Sequence, residues 1–251
     1  MHLVVLLFFL ELLPLMAMEN YFNAHSGMQC EIEKGLFQEK KLIVVAFGNS
    51  ITATRKTINQ VYAQRLPQIL ATKGVTAEVI NAGVPGSHTG SIKDHSLFRI
   101  QHGRDRFESD VLAHHPDLVI IGFGTNDAHI DGSDSDGPSR IPLKDFEKNL
   151  TFMIKSLQEK QVKVILLAPN ALGVKFPAFQ NDRLMLYVNT VRALSRTYQT
   201  GLVDNFKLFM EHAKNTGRPM DDLLLDGIHP NDSGHQLMAN ELVKEIIQII
   251  N

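Results

Sequence analysis

The segment Leu42-Ile43-Val44-Val45-Ala46-Phe47-Gly48-Asn49-Ser50-Ile51-Thr52 decides the fold. Its first six residues are apolar without a break and include two adjacent valines. So short a run, closed by Gly48, predicts a strand buried on both faces, as in a parallel sheet. Leu118–Ile121 and Val162–Leu167 repeat the pattern, and shorter strands are expected at Ala77–Ile80 and Gly201–Asp204. Helical spacing fills the intervals. Ile58, Val61, Tyr62, Leu66, Ile69 and Leu70 mark one helix, which Pro67 should kink or divide and Gly74 should end. Phe107, Val111 and Leu112 give an apolar side to Arg104–His115. Phe146, Leu150, Met153, Ile154 and Leu157 mark a third helix, Leu184–Tyr198 a fourth and Ser233–Ile250 a last. Strands alternating with helices imply βαβ units with right-handed crossovers and a parallel sheet covered on both faces. One doubly wound α/β domain of five strands over residues 42–251 is the expectation. In such sheets the chemistry lies beyond the carboxyl ends of the strands.

Composition narrows the function classes. The 251 residues fit one domain, or two small ones, at roughly 100–200 residues each. A net charge of −2 gives no global attraction to nucleic acid or anionic lipid. The single cysteine, Cys30, excludes an intramolecular disulfide framework and a cysteine-based zinc site. No segment has the roughly 18 apolar residues of an integral membrane span.

The first 18 residues are set apart from the fold. Leu3–Leu10 is unbroken apolar, Leu12–Met18 nearly so, and Ala17 is a small residue near the end, the pattern of a secretory signal peptide. Glu11 interrupts it, and no Lys or Arg precedes it. The competing reading is a miscalled start, with Met16, Met18 or Met28 as the true first residue. Gln29 stands where a lipoprotein signal would need a small residue before Cys30. A signal peptide would make the protein secreted or periplasmic, and a miscalled start would leave it cytoplasmic. Residues 19–41 are a lead-in to the domain.

The loops after the strands carry the chemistry. After the first strand comes Gly48-Asn49-Ser50-Ile51-Thr52. After the second comes Asn81-Ala82-Gly83-Val84-Pro85-Gly86, and after the third Gly124-Thr125-Asn126-Asp127. Asp226-Gly227-Ile228-His229-Pro230 precedes the last helix. A serine hydroxyl is a weak nucleophile and needs an adjacent base. His229 can serve, with Asp226 three residues upstream to orient it. The backbone N–H groups of Ser50 and Gly83 and the side-chain amide of Asn126 can donate to an oxyanion. Each piece also has a plain structural reading: Ser50 or Thr52 as a helix cap, Gly83 as a turn glycine, Asn126 and Asp127 as loop caps.

Taken together, the four blocks resemble those of the SGNH, or GDSL-type, hydrolase superfamily over most of the chain from about Leu42. The family's Ser, Gly, Asn and His match Ser50, Gly83, Asn126 and His229, and its Asp matches Asp226. The resemblance implies a flavodoxin-like three-layer αβα sandwich with strand order 2-1-3-4-5. It also implies hydrolysis of esters or thioesters without metal or cofactor. One position departs: the family's usual Asp before the nucleophile is Asn49 here, a change expected to tune the loop. No G-x-S-x-G surrounds Ser50, which argues against a nucleophile elbow, and no P-loop or dinucleotide fingerprint occurs.

The substrate expected is a small-molecule or glycan ester, first of all a short-acyl (O-acetyl) carbohydrate ester. The alternatives are a lysophospholipase or thioesterase on longer chains, and a non-catalytic carbohydrate-binding pseudoenzyme. Asp127, His129, Asp131, Asp134 and Asp136 crowd one loop. Asp136 stands where a calcium loop begun at Asp131 needs Gly, so pocket-shaping is expected of them rather than metal binding. Arg140 can meet an anionic substrate group or lie on the surface. His235 is expected to be structural, and Phe107 and Phe146 to lie in the core.

Overall fold

The computed structural model of the protein describes residues 41–251. The signal-peptide reading of residues 1–18 and the lead-in up to residue 40 fall outside the described residues. Among the described residues five strands are all parallel: β1 (Leu42–Gly48), β2 (Ala77–Gly83), β3 (Leu118–Gly122), β4 (Lys163–Ala168) and β5 (Gly201–Asp204). Their order is β2-β1-β3-β4-β5, as expected. The helices are α1 (Tyr62–Ala71), α2 (Gly103–Asp110), α3 (Thr125–Ala128), α4 (Leu143–Gln158), α5 (Ala178–Tyr198), α6 (Asn205–Thr216) and α7 (Asp232–Ile250).

The strand side chains alternate between two cores, which is the physical basis of three layers. Val45, Phe47, Val119, Ile121, Val164 and Leu166 bury against Phe107, Phe146, Leu150, Met153, Leu184 and Val188 of α2, α4 and α5. Val44, Ala46, Leu118, Ile120, Ile165 and Leu167 bury against Tyr62 and Leu66 of α1, Phe209 of α6, and Met238 and Leu242 of α7. β1 enters both cores with residues that are fully buried, hence its unbroken apolar run.

Several boundaries differ from the sequence reading. Pro67 neither divides α1 nor ends it; the helix runs from Tyr62 to Ala71. Gly74 takes the left-handed conformation just past it, with φ 77°. β2 continues to Gly83, so the motif after the second strand begins inside the sheet, and Gly83 pairs in register with Gly48. The expected helix Arg104–His115 is α2 followed by a 3₁₀ turn at Leu112–His114. α6 was not anticipated at all: its apolar side rests on Phe209, and Asp204 caps it by accepting from Lys207 N–H at 3.1 Å.

Candidate active site

Ser50 sits in the turn leaving the carboxyl end of β1. The turn is set by Asn49, whose side-chain Oδ1 accepts from Ile51 N–H at 2.9 Å and whose carbonyl accepts from Thr52 N–H and Ala53 N–H. Neither Ser50 nor Thr52 caps a helix, because α1 begins ten residues later. Thr52 Oγ1 instead shares a hydrogen bond with the buried Tyr62 hydroxyl at 2.8 Å, pinning the turn to α1. Burial raises the Tyr62 phenol well above its ordinary range, against the opposing Thr52 bond.

His229 reaches the same point from the far end of the chain. Its Nε2 lies 2.9 Å from Ser50 Oγ, and its Nδ1 lies 2.7 Å from Asp226 Oδ2. An ionised carboxylate can only accept, so Nδ1 carries the proton and Nε2 is left as the acceptor facing the serine. Asp226 also builds the loop that presents the imidazole: its Oδ1 accepts from His229 N–H at 2.9 Å and Ile228 N–H at 3.2 Å. Gly227 makes the turn possible with φ 85°, and Leu225 N–H closes it on His229 O at 2.8 Å. Burial lowers the His229 imidazole below its ordinary range; Asp226 pulls the other way, and the Arg55 guanidinium adds to the lowering. Burial pushes the Asp226 carboxyl up, but the His229 N–H and imidazole with Ile228 N–H outweigh it and hold it low.

The three expected oxyanion donors are differently disposed. Ser50 N–H makes no hydrogen bond among the described residues. Gly83 N–H is held by Asn81 Oδ1 at 3.0 Å, while Asn81 Nδ2 donates to Thr52 O at 2.7 Å. Asn126, on the short helix α3, donates one hydrogen of Nδ2 to Ser87 O at 2.9 Å. Asn81 and Ser87 therefore support two of the donors, and nothing in their spacing announced it.

A third residue whose role lay outside the sequence reading is Arg106 of α2, which is 2% exposed. It donates to Gly48 O and Ala82 O, each at 2.7 Å, and stacks over the Phe47 ring at 4.3 Å. It thus braces the carboxyl ends of β1 and β2 under the serine turn. Burial lowers its guanidinium from the ordinary value, opposed by Asp110. The sequence hid it because α2 reads as polar.

The acidic loop is accounted for by its own contacts. Asp127 is fully buried and accepts from Thr89 N–H at 2.8 Å, Thr89 Oγ1 at 2.5 Å and Gly124 N–H at 3.0 Å. Burial raises its carboxyl to about 6 against those donors. Arg140 is paired with Asp131, not presented to the solvent as a bare cation. Among the described residues no cluster of three His, Cys, Asp or Glu side chains is arranged to hold a metal. His235 is structural: its Nδ1 accepts from Tyr62 N–H, the first residue of α1, at 3.2 Å.

A parallel sheet in this order, with a hydroxyl, an imidazole and a carboxylate aligned at its carboxyl edge, defines the class: an α/β three-layer hydrolase of ester bonds. Within that class the chain belongs to the GDSL-like lipase/acylhydrolase family, whose profile matches residues 46–237. It is 29% identical over 215 residues to the uncharacterized lipoprotein YqeF of Bacillus subtilis (strain 168), covering 77% of this chain and 82% of that protein. It is 24% identical over 151 residues to the isoamyl acetate-hydrolyzing esterase of Saccharomyces cerevisiae, covering 55% of this chain and 60% of that one. The crystal structure of the acetyl xylan esterase AlAXEase superposes with TM-score 0.64 at 28% identity, covering 81% of this chain and 98% of that one.

Proposed function

We propose that this esterase works by two-step acyl transfer through Ser50, His229 and Asp226. The observation that carries the reading is the continuous line Asp226 Oδ2, His229 Nδ1, His229 Nε2, Ser50 Oγ, with separations of 2.7 and 2.9 Å. His229 Nε2 takes the Ser50 proton as Oγ attacks the ester carbonyl, and Asp226 stabilises the imidazolium. The oxyanion is received by Ser50 N–H, the second hydrogen of Asn126 Nδ2, and Gly83 N–H, which exchanges Asn81 Oδ1 for the substrate oxygen. The imidazolium then protonates the leaving alcohol. Water, activated by the same base, releases the acid from the serine.

The preferred substrate is a short-acyl, O-acetyl ester of a carbohydrate. Two of the similar proteins act, by name, on an acetyl or acetate ester, and that supports the choice. A second reading rests on an apolar groove of about 710 Å³ lined by Leu172, Val174, Phe176, Phe206, Met210 and Met220. Its loop is tied to the histidine segment through Gly173 N–H on Gly227 O at 2.7 Å. Such a groove suits a longer chain, as in a lysophospholipase or thioesterase.

Hydrolysis of p-nitrophenyl acetate, butyrate and octanoate by wild type and Ser50→Ala tests both. Short-ester activity lost in the mutant supports the reading, and a rate rising toward octanoate moves it to the groove. Activity equal in mutant and wild type overturns the mechanism. The likeness to a protein named as a lipoprotein supports an exported location; a mature chain beginning after residue 18 on N-terminal sequencing tests that.

A further inference from the structure

Behind the serine turn lies a small cavity of about 20 Å³ at the carboxyl ends of β1, β3, β4 and β5. Its polar lining includes three asparagine side chains, Asn49, Asn170 and Asn205, each no more than 2% exposed. Asn170 Oδ1 and Asn205 Oδ1 are buried with no hydrogen-bond partner. The orientation of Asn170 is fixed, because its Nδ2 donates to Ala171 O at 3.0 Å and Ile228 O at 3.1 Å. Asn49 Oδ1 is used by Ile51 N–H, so its spare group is the donor Nδ2. Two unpartnered acceptors and one spare donor therefore belong to side chains that line one small space.

We propose that this cavity is a binding site for a single ordered water that joins the serine turn to the histidine loop. The water donates to Asn170 Oδ1 and Asn205 Oδ1 and accepts from Asn49 Nδ2. A buried water needs roughly 10–15 Å³ and typically makes about three hydrogen bonds, so both volume and polarity fit. An orphaned buried acceptor otherwise costs about 1–3 kcal/mol. The link is mechanical. Asn49 adjoins Ser50, and Asn170 Nδ2 holds the carbonyl of Ile228, next to His229. The three asparagines are positioning residues for the Ser50–His229 contact, and this role rests on the acyl-transfer reading; the water site itself does not. The arrangement also gives a reason for Asn49. A carboxylate there would face two other acceptors and leave the water one proton short.

The first test is a high-resolution crystal structure of the wild-type protein. A single peak within hydrogen-bond reach of Asn49, Asn170 and Asn205 is the expected result, and an unfilled site overturns the proposal. The second is Asn49→Asp. The buried carboxyl must stay protonated to donate, so kcat should fall about 10-fold as pH rises through a new ionisation, with KM little changed. Wild type should lack that limb, and an unaltered pH profile in Asn49→Asp overturns the positioning role. Failure of the acyl-transfer reading would appear separately, as wild-type activity independent of Ser50, with the water peak still present or absent on its own account.

Discussion

Gly83 and Ala53 meet backbone to backbone. A β-carbon built on Gly83 would overlap Ala53 N and come within 2.6 Å of Ala53 Cα and Thr52 C. From sequence alone Gly83 reads as an oxyanion donor or a turn glycine. In the structure, the chain that approaches it is the protein's own serine turn. Gly83 therefore fixes where Ser50 can stand, whatever its N–H does for an oxyanion.

Gly83→Ala should consequently push the Thr52–Ala53 backbone away from β2. A displacement of the nucleophile by about 1 Å is worth on the order of 10² in rate. We expect kcat for an acetate ester to fall by about that factor while circular dichroism still reports an α/β fold. Unchanged kcat would mean that the turn has room the geometry does not suggest.

The pH dependence follows from the state of His229. It must be neutral to act as a base, and its burial lowers it from the ordinary imidazole value. Activity should therefore rise with pH along a limb centred below 6.5, the unperturbed value. Arg55→Gln removes a cation that disfavours protonation, so the limb should move to higher pH. Asp226→Asn removes the acceptor that fixes the Nδ1–H tautomer, and kcat should drop by about 10⁴. A pH–rate profile of kcat/KM for the three proteins checks all of this, and a limb that ignores Arg55 would count against the charge effect.

Arg106 supports the site without touching substrate. Arg106→Leu removes two hydrogen bonds from a charged donor, one to Ala82 O and one to Gly48 O, which keeps only Val84 N–H at 3.1 Å, at about 1.5–3 kcal/mol each. We expect a loss of roughly 3 kcal/mol in urea unfolding. Arg106→Lys should recover little, since one ammonium cannot reproduce a planar fork spanning two carbonyls. Full recovery by lysine would show that charge alone matters there.

How much of this was readable depended on the range of the interaction. β1, β3 and β4 announce themselves because both faces are buried, so the whole run is apolar. The Ser50 and His229 blocks were legible because their spacing is local: Asp226 binds His229 three residues on, and Asn49 binds Ile51 two residues on. Asn81, Ser87 and Arg106 were not legible, because each acts through contacts made after the sheet assembles. Arg106 bonds a carbonyl 58 residues away. α6 was missed since much of its surface is polar or half-exposed and its burial rests chiefly on Asn205 and Phe209. The inward bonds of Asp127 were hidden for the same reason: it accepts from Thr89, 38 residues upstream.

Acid stability gives the last test. His88 and His235 are each 1% exposed, and burial lowers both to about 3. His88 faces His102, Asp94, His95 and Arg140, and its ring stacks on His102 at 3.5 Å. His235 faces Arg65, Asp232, Arg55 and His229. Between pH 6.5 and about 3 the unfolded chain binds protons at these sites that the folded chain refuses, so stability falls as pH falls. At pH 5 the loss is about 2 kcal/mol per histidine. Asp127 works oppositely: raised to about 6 from 3.8, it is protonated in the fold first and gains about 1–2 kcal/mol over the same interval. These three groups together give a loss of about 2–3 kcal/mol between pH 7.5 and 5, read from urea midpoints. His235→Asn keeps an acceptor for Tyr62 N–H but removes the titration, so its slope between those pH values should be about 2 kcal/mol shallower. A slope identical to wild type would mean that His235 takes up its proton in the folded protein, against the burial seen here.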